Sequence, residues 1–172
     1  MKRLLAVGCA VLVFSHASAF ALTKGDLELG PSFAFVNADD FEQLKIGLDA
    51  GLYLGGPHQL NLLIDYQNIE ILGVESDGEF AGLGYEYNFD PINKAQVPFV
   101  GGSLTFGIGD VGDLYKQVLA VNGGFKSLVS DRAAIKSELS IERYFGEDNI
   151  DDATSLSLRV GLIVFFTLSA LQ

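Results

Sequence analysis

The chain has 172 residues, a length that suits one domain, with 49% hydrophobic residues and a formal net charge of −11. Acidity of this degree excludes nucleic-acid binding through a phosphate-neutralising patch, and the hydrophobic content excludes a disordered acidic tail. One cysteine, Cys9, excludes a disulfide framework and a thiolate metal centre.

The first element is an export signal. Met1-Lys2-Arg3 is a positive n-region, Leu4 to Phe14 is an apolar run, and Ser15-His16-Ala17-Ser18-Ala19 supplies small residues three and one before a break. This is the layout of a secretory signal peptide over residues 1–19. Ala19-Phe20-Ala21 offers an alternative cleavage site after residue 21. The apolar run is too short to span a bilayer, which takes about 20 residues. Ala6-Val7-Gly8-Cys9 resembles a lipoprotein box, but only Leu4 and Leu5 lead into it. Cleavage removes Cys9, two bases and no acid, so the mature chain is cysteine-free and more acidic still. Residues 20–172 read as a single domain.

From there the dominant signal is period-two alternation, the mark of a strand with two unlike faces. The first segment sets Leu27, Leu29, Phe33 and Phe35 opposite Glu28, Gly30, Ser32 and Ala34. In the second, Leu44, Ile46, Leu48, Ala50, Leu52 and Leu54 oppose Lys45, Gly47, Asp49 and Gly51. The third places Leu60, Leu62, Ile64 and Tyr66 against Asn61, Asp65 and Gln67. The fourth has Ala81, Leu83, Tyr85, Tyr87 and Phe89 against Gly82, Gly84, Glu86 and Asn88. Val100, Leu104, Phe106 and Ile108 oppose Gly101, Ser103, Thr105 and Gly107 in the fifth. The sixth pairs Leu119, Val121 and Phe125 with Ala120, Asn122, Gly124 and Lys126; the seventh pairs Ile135, Leu139 and Ile141 with Lys136, Glu138, Ser140 and Glu142. The eighth runs Leu156, Leu158, Val160, Leu162, Val164, Phe166 against Ser155, Ser157, Arg159 and Gly161. Leu63, Phe99, Ile163 and Phe165 break the pattern.

The connections alternate as well. Gly55-Gly56-Pro57, Asp90-Pro91-Ile92-Asn93 and Ser130-Asp131-Arg132 are tight turns. Four acidic connections, mostly longer, fall around Asn37 to Glu42, Gly73 to Glu79, Gly109 to Leu114 and Gly146 to Ser155. In an up-and-down meander, the turns then share one end and the acidic loops the other.

Three features orient the sheet. Glycine sits almost wholly on the polar face, where it fills nothing if that face meets water but makes room inside a narrow barrel. The apolar face carries long leucines with aromatics toward strand ends, as in the girdles of membrane barrels. Short turns at one end and longer loops at the other fit periplasmic and extracellular sides, and strands near ten residues fit a tilted bilayer crossing. The expected fold is therefore all-β: an eight-stranded antiparallel up-and-down transmembrane β-barrel.

Export signal, eight alternating strands and acidic loops together resemble the small outer-membrane barrels of the OmpA/OmpX type over the whole mature chain. The resemblance implies residence in the outer membrane of a Gram-negative cell, contact with outer-membrane lipid and lipopolysaccharide, and assembly by the outer-membrane insertion machinery. Such barrels often end in an aromatic residue; this chain ends Ala170-Leu171-Gln172, with Phe165 and Phe166 a few places earlier, and it has no tryptophan.

Facing inward, Glu28, Lys45, Asp49, Asp65, Glu86, Lys126, Lys136, Glu138, Glu142 and Arg159 form a candidate lumen charge network. Charges confined there must be paired or solvated, which favours a plug over an ion path or a pair of hydrolytic carboxylates. Glu147, Asp148, Asp151 and Asp152 are weak candidates for a divalent cation, but they lack the spacing and glycine of an EF-hand loop; a solvated rim explains them more simply. Lipid-modifying barrels resemble this one in size, yet the sole mature histidine, His58, falls in a turn with no relay beside it. The reading is a non-enzymatic outer-membrane protein without a cofactor. Its role is structural or surface-interacting, with an extracellular partner of unknown identity meeting the acidic loops. A soluble lipocalin-like ligand carrier is the main rival, followed by a lipid-modifying enzyme and a passive pore.

Overall fold

The computed structural model describes residues 24–38, 42–71, 74–93, 95–146 and 151–167. The expected signal peptide and the first residues after it lie outside these, as do Glu147 and Asp148. The strands are β1 (Asp26–Ala38), β2 (Glu42–Gly55), β3 (His58–Ile71), β4 (Val74–Asn88), β5 (Gln96–Ile108), β6 (Tyr115–Ser130), β7 (Ala133–Gly146) and β8 (Ala153–Thr167). Each pairs antiparallel with its sequence neighbours, and β8 closes on β1 from Leu27↔Phe166 to Ala38↔Ser155. Closure leaves no unpaired sheet edge. One short helix, α1 (Asp110–Leu114), joins β5 to β6.

The strands are 13 to 16 residues long, longer than the ten or so expected. Each added residue completes ladder hydrogen bonds with a neighbour, so hairpins extend as far as both partners permit. Two expected loops are affected. Val74 to Glu79 belongs to β4, paired with β3 down to Ile71↔Val74, and Asn37 and Glu42 are strand residues paired with each other. The contrast in length between the two barrel ends is therefore small: Gly109–Leu114 and the β7–β8 connection are the longer ones at the loop end, but the expected tight turn between Asn88 and Gln96 at the opposite end is as long. At the opposite end, Gly55 (φ 117°) and Gly56 (φ 59°) make the β2–β3 turn, in a conformation that glycine adopts without Cβ strain.

Every strand turns its leucine-rich side outward and its polar side into the lumen. On β8, Leu156, Leu158, Val160 and Leu162 are exposed, whereas Ser155, Ser157 and Arg159 are buried. Val121 is 68% exposed and Phe35 66%. In water, each such side chain would forgo about 1.5–3 kcal/mol of burial. The residues that break the alternation face inward. Ile163 and Phe165 join Tyr53, Leu128 and Ala134 in an apolar layer at the turn end, and Phe99 is buried as well. At the loop end, Val36, Phe80, Val118, Tyr115 and Tyr144 form a second layer around Val111, which α1 delivers into the barrel mouth. The lumen thus holds charge in the middle and, toward each end, an apolar cap that shares its level with buried polar groups, Asp26 and Gln59 at the turn end and Gln43 and Gln67 at the loop end.

Lumen glycines permit close backbone approach. A Cβ on Gly124 would sit 2.0 Å from the Ser137 carbonyl oxygen, and one on Gly82 would sit 2.1 Å from that of Leu104. Strands coiling tightly enough to close eight-fold leave no space for a side chain at these crossings.

Candidate functional site

All ten charged residues nominated from the sequence point into the lumen and are at most 8% exposed. Seven strands supply them; β5 supplies none, its inward positions being Val97, Phe99, Gly101, Ser103, Thr105 and Gly107. The charges meet across the barrel in three tiers, named here from the turn end upward.

The lowest tier centres on Lys126, which is fully buried. Its Nζ lies 2.7 Å from Glu28 Oε2 and 3.0 Å from Glu86 Oε2, and it donates to Gln59 Oε1 at 2.6 Å. Tyr53 donates its hydroxyl to Glu28 Oε2 at 3.0 Å. The ammonium also lies 5.4 Å and 5.5 Å from the ring centroids of Tyr53 and Phe99, within cation–π range. Lys136 bonds the other Glu86 oxygen and lies 4.8 Å from the Phe99 centroid.

Arg159 organises the middle tier. It grips Asp65 with two parallel bonds, Nη1 to Oδ1 at 3.0 Å and Nη2 to Oδ2 at 2.7 Å. The same Nη1 reaches Asp49 at 3.2 Å and Ser32 Oγ at 3.3 Å. Glu138 bridges the two tiers, 3.9 Å from Arg159 Nε and 3.5 Å from Lys136 Nζ. A Cβ on Gly47 would fall 2.2 Å from Asp65 Oδ1, so glycine at position 47 leaves the space that this fork occupies.

In the top tier, Lys45 pairs with Glu142 at 2.6 Å, and Tyr144 donates to the same carboxylate at 2.7 Å. Gln43 donates to Gln67 at 3.0 Å just beside them. Six carboxylates thus meet four bases, and every base touches at least one acid. A buried pair of this kind adds little net stability over an apolar pair, but loss of one partner leaves an uncompensated charge. The cavity left between the tiers offers about 30 Å³, room for a water or two and for no larger solute.

Several contributors escape the sequence reading. Tyr53, Gln59, Gln43 and Tyr144 all join the network, and Asp26 is buried below Glu28. All five continue the inward period-two count of their strands by one place: Asp26 before Glu28, Gln43 before Lys45, Tyr53 after Gly51, Gln59 before Asn61 and Tyr144 after Glu142. Extending each count to the strand end would have found them.

The other candidates stand apart from the lumen. Asp151 and Asp152 are exposed. Asp152 accepts from Arg143 Nη2 at 2.9 Å and from the Gly146 backbone N–H at 3.1 Å. Among the described residues no cluster of three His, Cys, Asp or Glu side chains is placed to hold a metal. His58 lies exposed at the turn end, its Nδ1 2.5 Å from Tyr85 Oη. It meets Tyr87 edge-on, and Tyr87 meets Phe89 in the same way, a chain of half-exposed rings on the outer face. Among the described residues, its neighbours are the rings of Tyr85 and Tyr87.

No known protein family and no curated protein matches the sequence. Solved structures do match the shape. Neisserial surface protein A is similar over 84% of this chain and 98% of its own, with a TM-score of 0.60 at 15% identity. The N-terminal β-barrel domain of OprF from Pseudomonas aeruginosa is similar over 84% of this chain and all of its own, at 0.56 and 14%. The outer-membrane protein OprG, also from Pseudomonas aeruginosa, is similar over 87% of this chain and all of its own, at 0.52 and 11%. A likeness at such low identity reflects a shared architecture, and the chain accordingly has the fold of the small eight-stranded outer-membrane β-barrels.

Proposed function

We propose that the mature protein is an integral outer-membrane barrel whose lumen is sealed, with a structural or surface-interacting role. It works neither as a pore nor as an enzyme. One observation carries this reading: charges tile the inside while leucine and phenylalanine tile the outside. A soluble carrier needs the reverse partition, with an apolar cavity for its ligand and a polar exterior. Hydrocarbon outside and an ion-paired polar filling inside satisfy both faces at once.

The plug follows from the same partition. Three tiers of ion pairs between two apolar caps oppose the passage of solute, because a permeant ion would have to displace a buried pair and cross both caps. Support for a non-enzymatic role is the setting of His58, among aromatic rings at the turn end. By the usual placement of short turns in the periplasm, the other end would face outside and bear the acidic connections.

Fractionation with gel mobility before and after heating tests the membrane assignment. The protein should sediment with outer membranes and change mobility on boiling; free periplasmic solubility would return the case to the soluble carrier. In planar bilayers the purified protein should give no stable current, and large long-lived openings would refute the plug.

A further inference from the structure

Three observations converge on the outer surface of β7 and β8. The first is register. Leu139 faces Leu158, Ile141 faces Leu156, and Arg143 faces Thr154, all six exposed on the outer side. Going toward the loop end, rows of aliphatic side chains stop beneath a guanidinium and a hydroxyl. The second is shape. A shallow apolar groove is lined by Phe35, Leu44, Leu139, Leu156 and Leu158. Its base is one continuous cross-strand row, Leu139–Leu158–Phe35–Leu44, carried over four strands. The third is charge. Among the described residues, Arg143 and Lys116 are the two bases that face outward in the loop-side half, on the adjacent strands β7 and β6. They stand out in a chain with twice as many acids as bases.

A cation set directly above an apolar groove has the charge and shape complementarity that an anionic lipid requires. The acyl chain lies along the leucines, and the phosphate meets the guanidinium at the edge of the hydrocarbon. We infer that this seam binds the phosphorylated headgroup and an acyl chain of lipid A, through Arg143 and the Leu156–Leu158 groove. This rests on the outer-membrane reading above, with the loop end outward. Lipid A is the phosphate-bearing lipid of the leaflet that the loop end would then face, and its several chains suit a groove four strands wide.

Arg143 is held ready for the contact. Nη1 donates to Thr154 Oγ1 at 2.8 Å and Nη2 to Asp152 at 2.9 Å, two of its five N–H donors. The pair with Asp152 is nearly half exposed, a weak contact by nature. A phosphate offers the guanidinium a stronger, forked, charge-assisted bond.

The test uses the folded full-length mature protein in dodecyl maltoside, with bound lipid read by native mass spectrometry. The probes are bisphosphorylated hexa-acyl lipid A, its dephosphorylated form, and phosphatidylglycerol. One lipid A per barrel is expected, retained about tenfold better than either other probe. Arg143→Gln should lose about tenfold in retention, whereas Arg132→Gln at the turn end should retain lipid A fully. Asp152→Asn, which releases the guanidinium and leaves the barrel strands untouched, should tighten binding. Equal retention by wild type and Arg143→Gln overturns the site, as does unchanged or weaker binding by Asp152→Asn. Equal retention of dephosphorylated lipid A overturns the phosphate contact, and equal retention of phosphatidylglycerol overturns the choice of lipid A. Failure of the outer-membrane reading is seen separately, as loss of the heat-dependent mobility shift or of outer-membrane fractionation.

Discussion

Lys126→Met is the most direct probe of the plug. The ammonium is fully buried and contacts Glu28, Glu86, Gln59 and Tyr53. Methionine keeps much of the volume and none of the charge. Glu86 retains Lys136, but among the described residues Lys126 is the base that pairs with Glu28, so the substitution strands one buried carboxylate. Breaking a buried pair from one side costs about 3–5 kcal/mol. Adding Glu28→Gln removes the stranded charge while leaving an oxygen for the Tyr53 hydroxyl, and should recover about 1–3 kcal/mol of the loss. The assay is urea unfolding from phosphatidylcholine vesicles, followed by far-ultraviolet circular dichroism because the chain has no tryptophan. The reasoning is refuted if Lys126→Met stays within about 1 kcal/mol of wild type. It is also refuted if the double variant loses the sum of the two single losses.

The same unfolding assay checks the facing of the barrel. Leu162→Arg, at mid-strand on β8, should cost about 2–4 kcal/mol, and Phe166→Arg, near the turn end, about 0–1 kcal/mol; the reverse order would mean that the assigned faces or depths are wrong. Gly124→Ala should cost about 1–3 kcal/mol, since its Cβ would meet the Ser137 carbonyl oxygen at 2.0 Å and backbone cannot step aside; a neutral result would show that β6 and β7 separate readily. Val111→Asp should expel α1 from the mouth while the barrel persists. Chymotrypsin should then cut near Leu114 and Tyr115 in the variant and spare the wild type, and equal protection would show that Val111 does not anchor the helix.

Much of this fold is written in short-range pattern. Alternation is local, because neighbouring side chains in a strand must point to opposite faces. Eight such segments in order, joined by connections too short for a crossover, leave an antiparallel meander as the simple solution, and glycine on the polar face settles which side is narrow. All ten charges could therefore be placed inside from Glu28 to Arg159 without knowing any contact. The ends of the strands were less legible. Val74 to Glu79 carries loop-like acids and a glycine, yet pairing with β3 outweighs that composition. Asp77 shows how an acid is accommodated there: it is exposed and accepts from Tyr66 Oη at 3.0 Å.

Partnership, by contrast, is set by the closed barrel. Lys126 meets Glu28 from 98 residues away, and Arg159 meets Asp65 from 94. Which charges lie level depends on the registers of all the pairings, compounded around the closed sheet. A one-residue slip in any of them would move a side chain to the other face. The apolar caps have the same origin. Ile163 and Phe165 look like errors in the alternation of β8, but in the closed barrel they face Tyr53, Leu128 and Ala134 from other strands. Which residues turn inward can be read from the order of residues alone, because that is a property of each strand. Closure determined which of them meet, because height in a barrel is a property of all eight strands together.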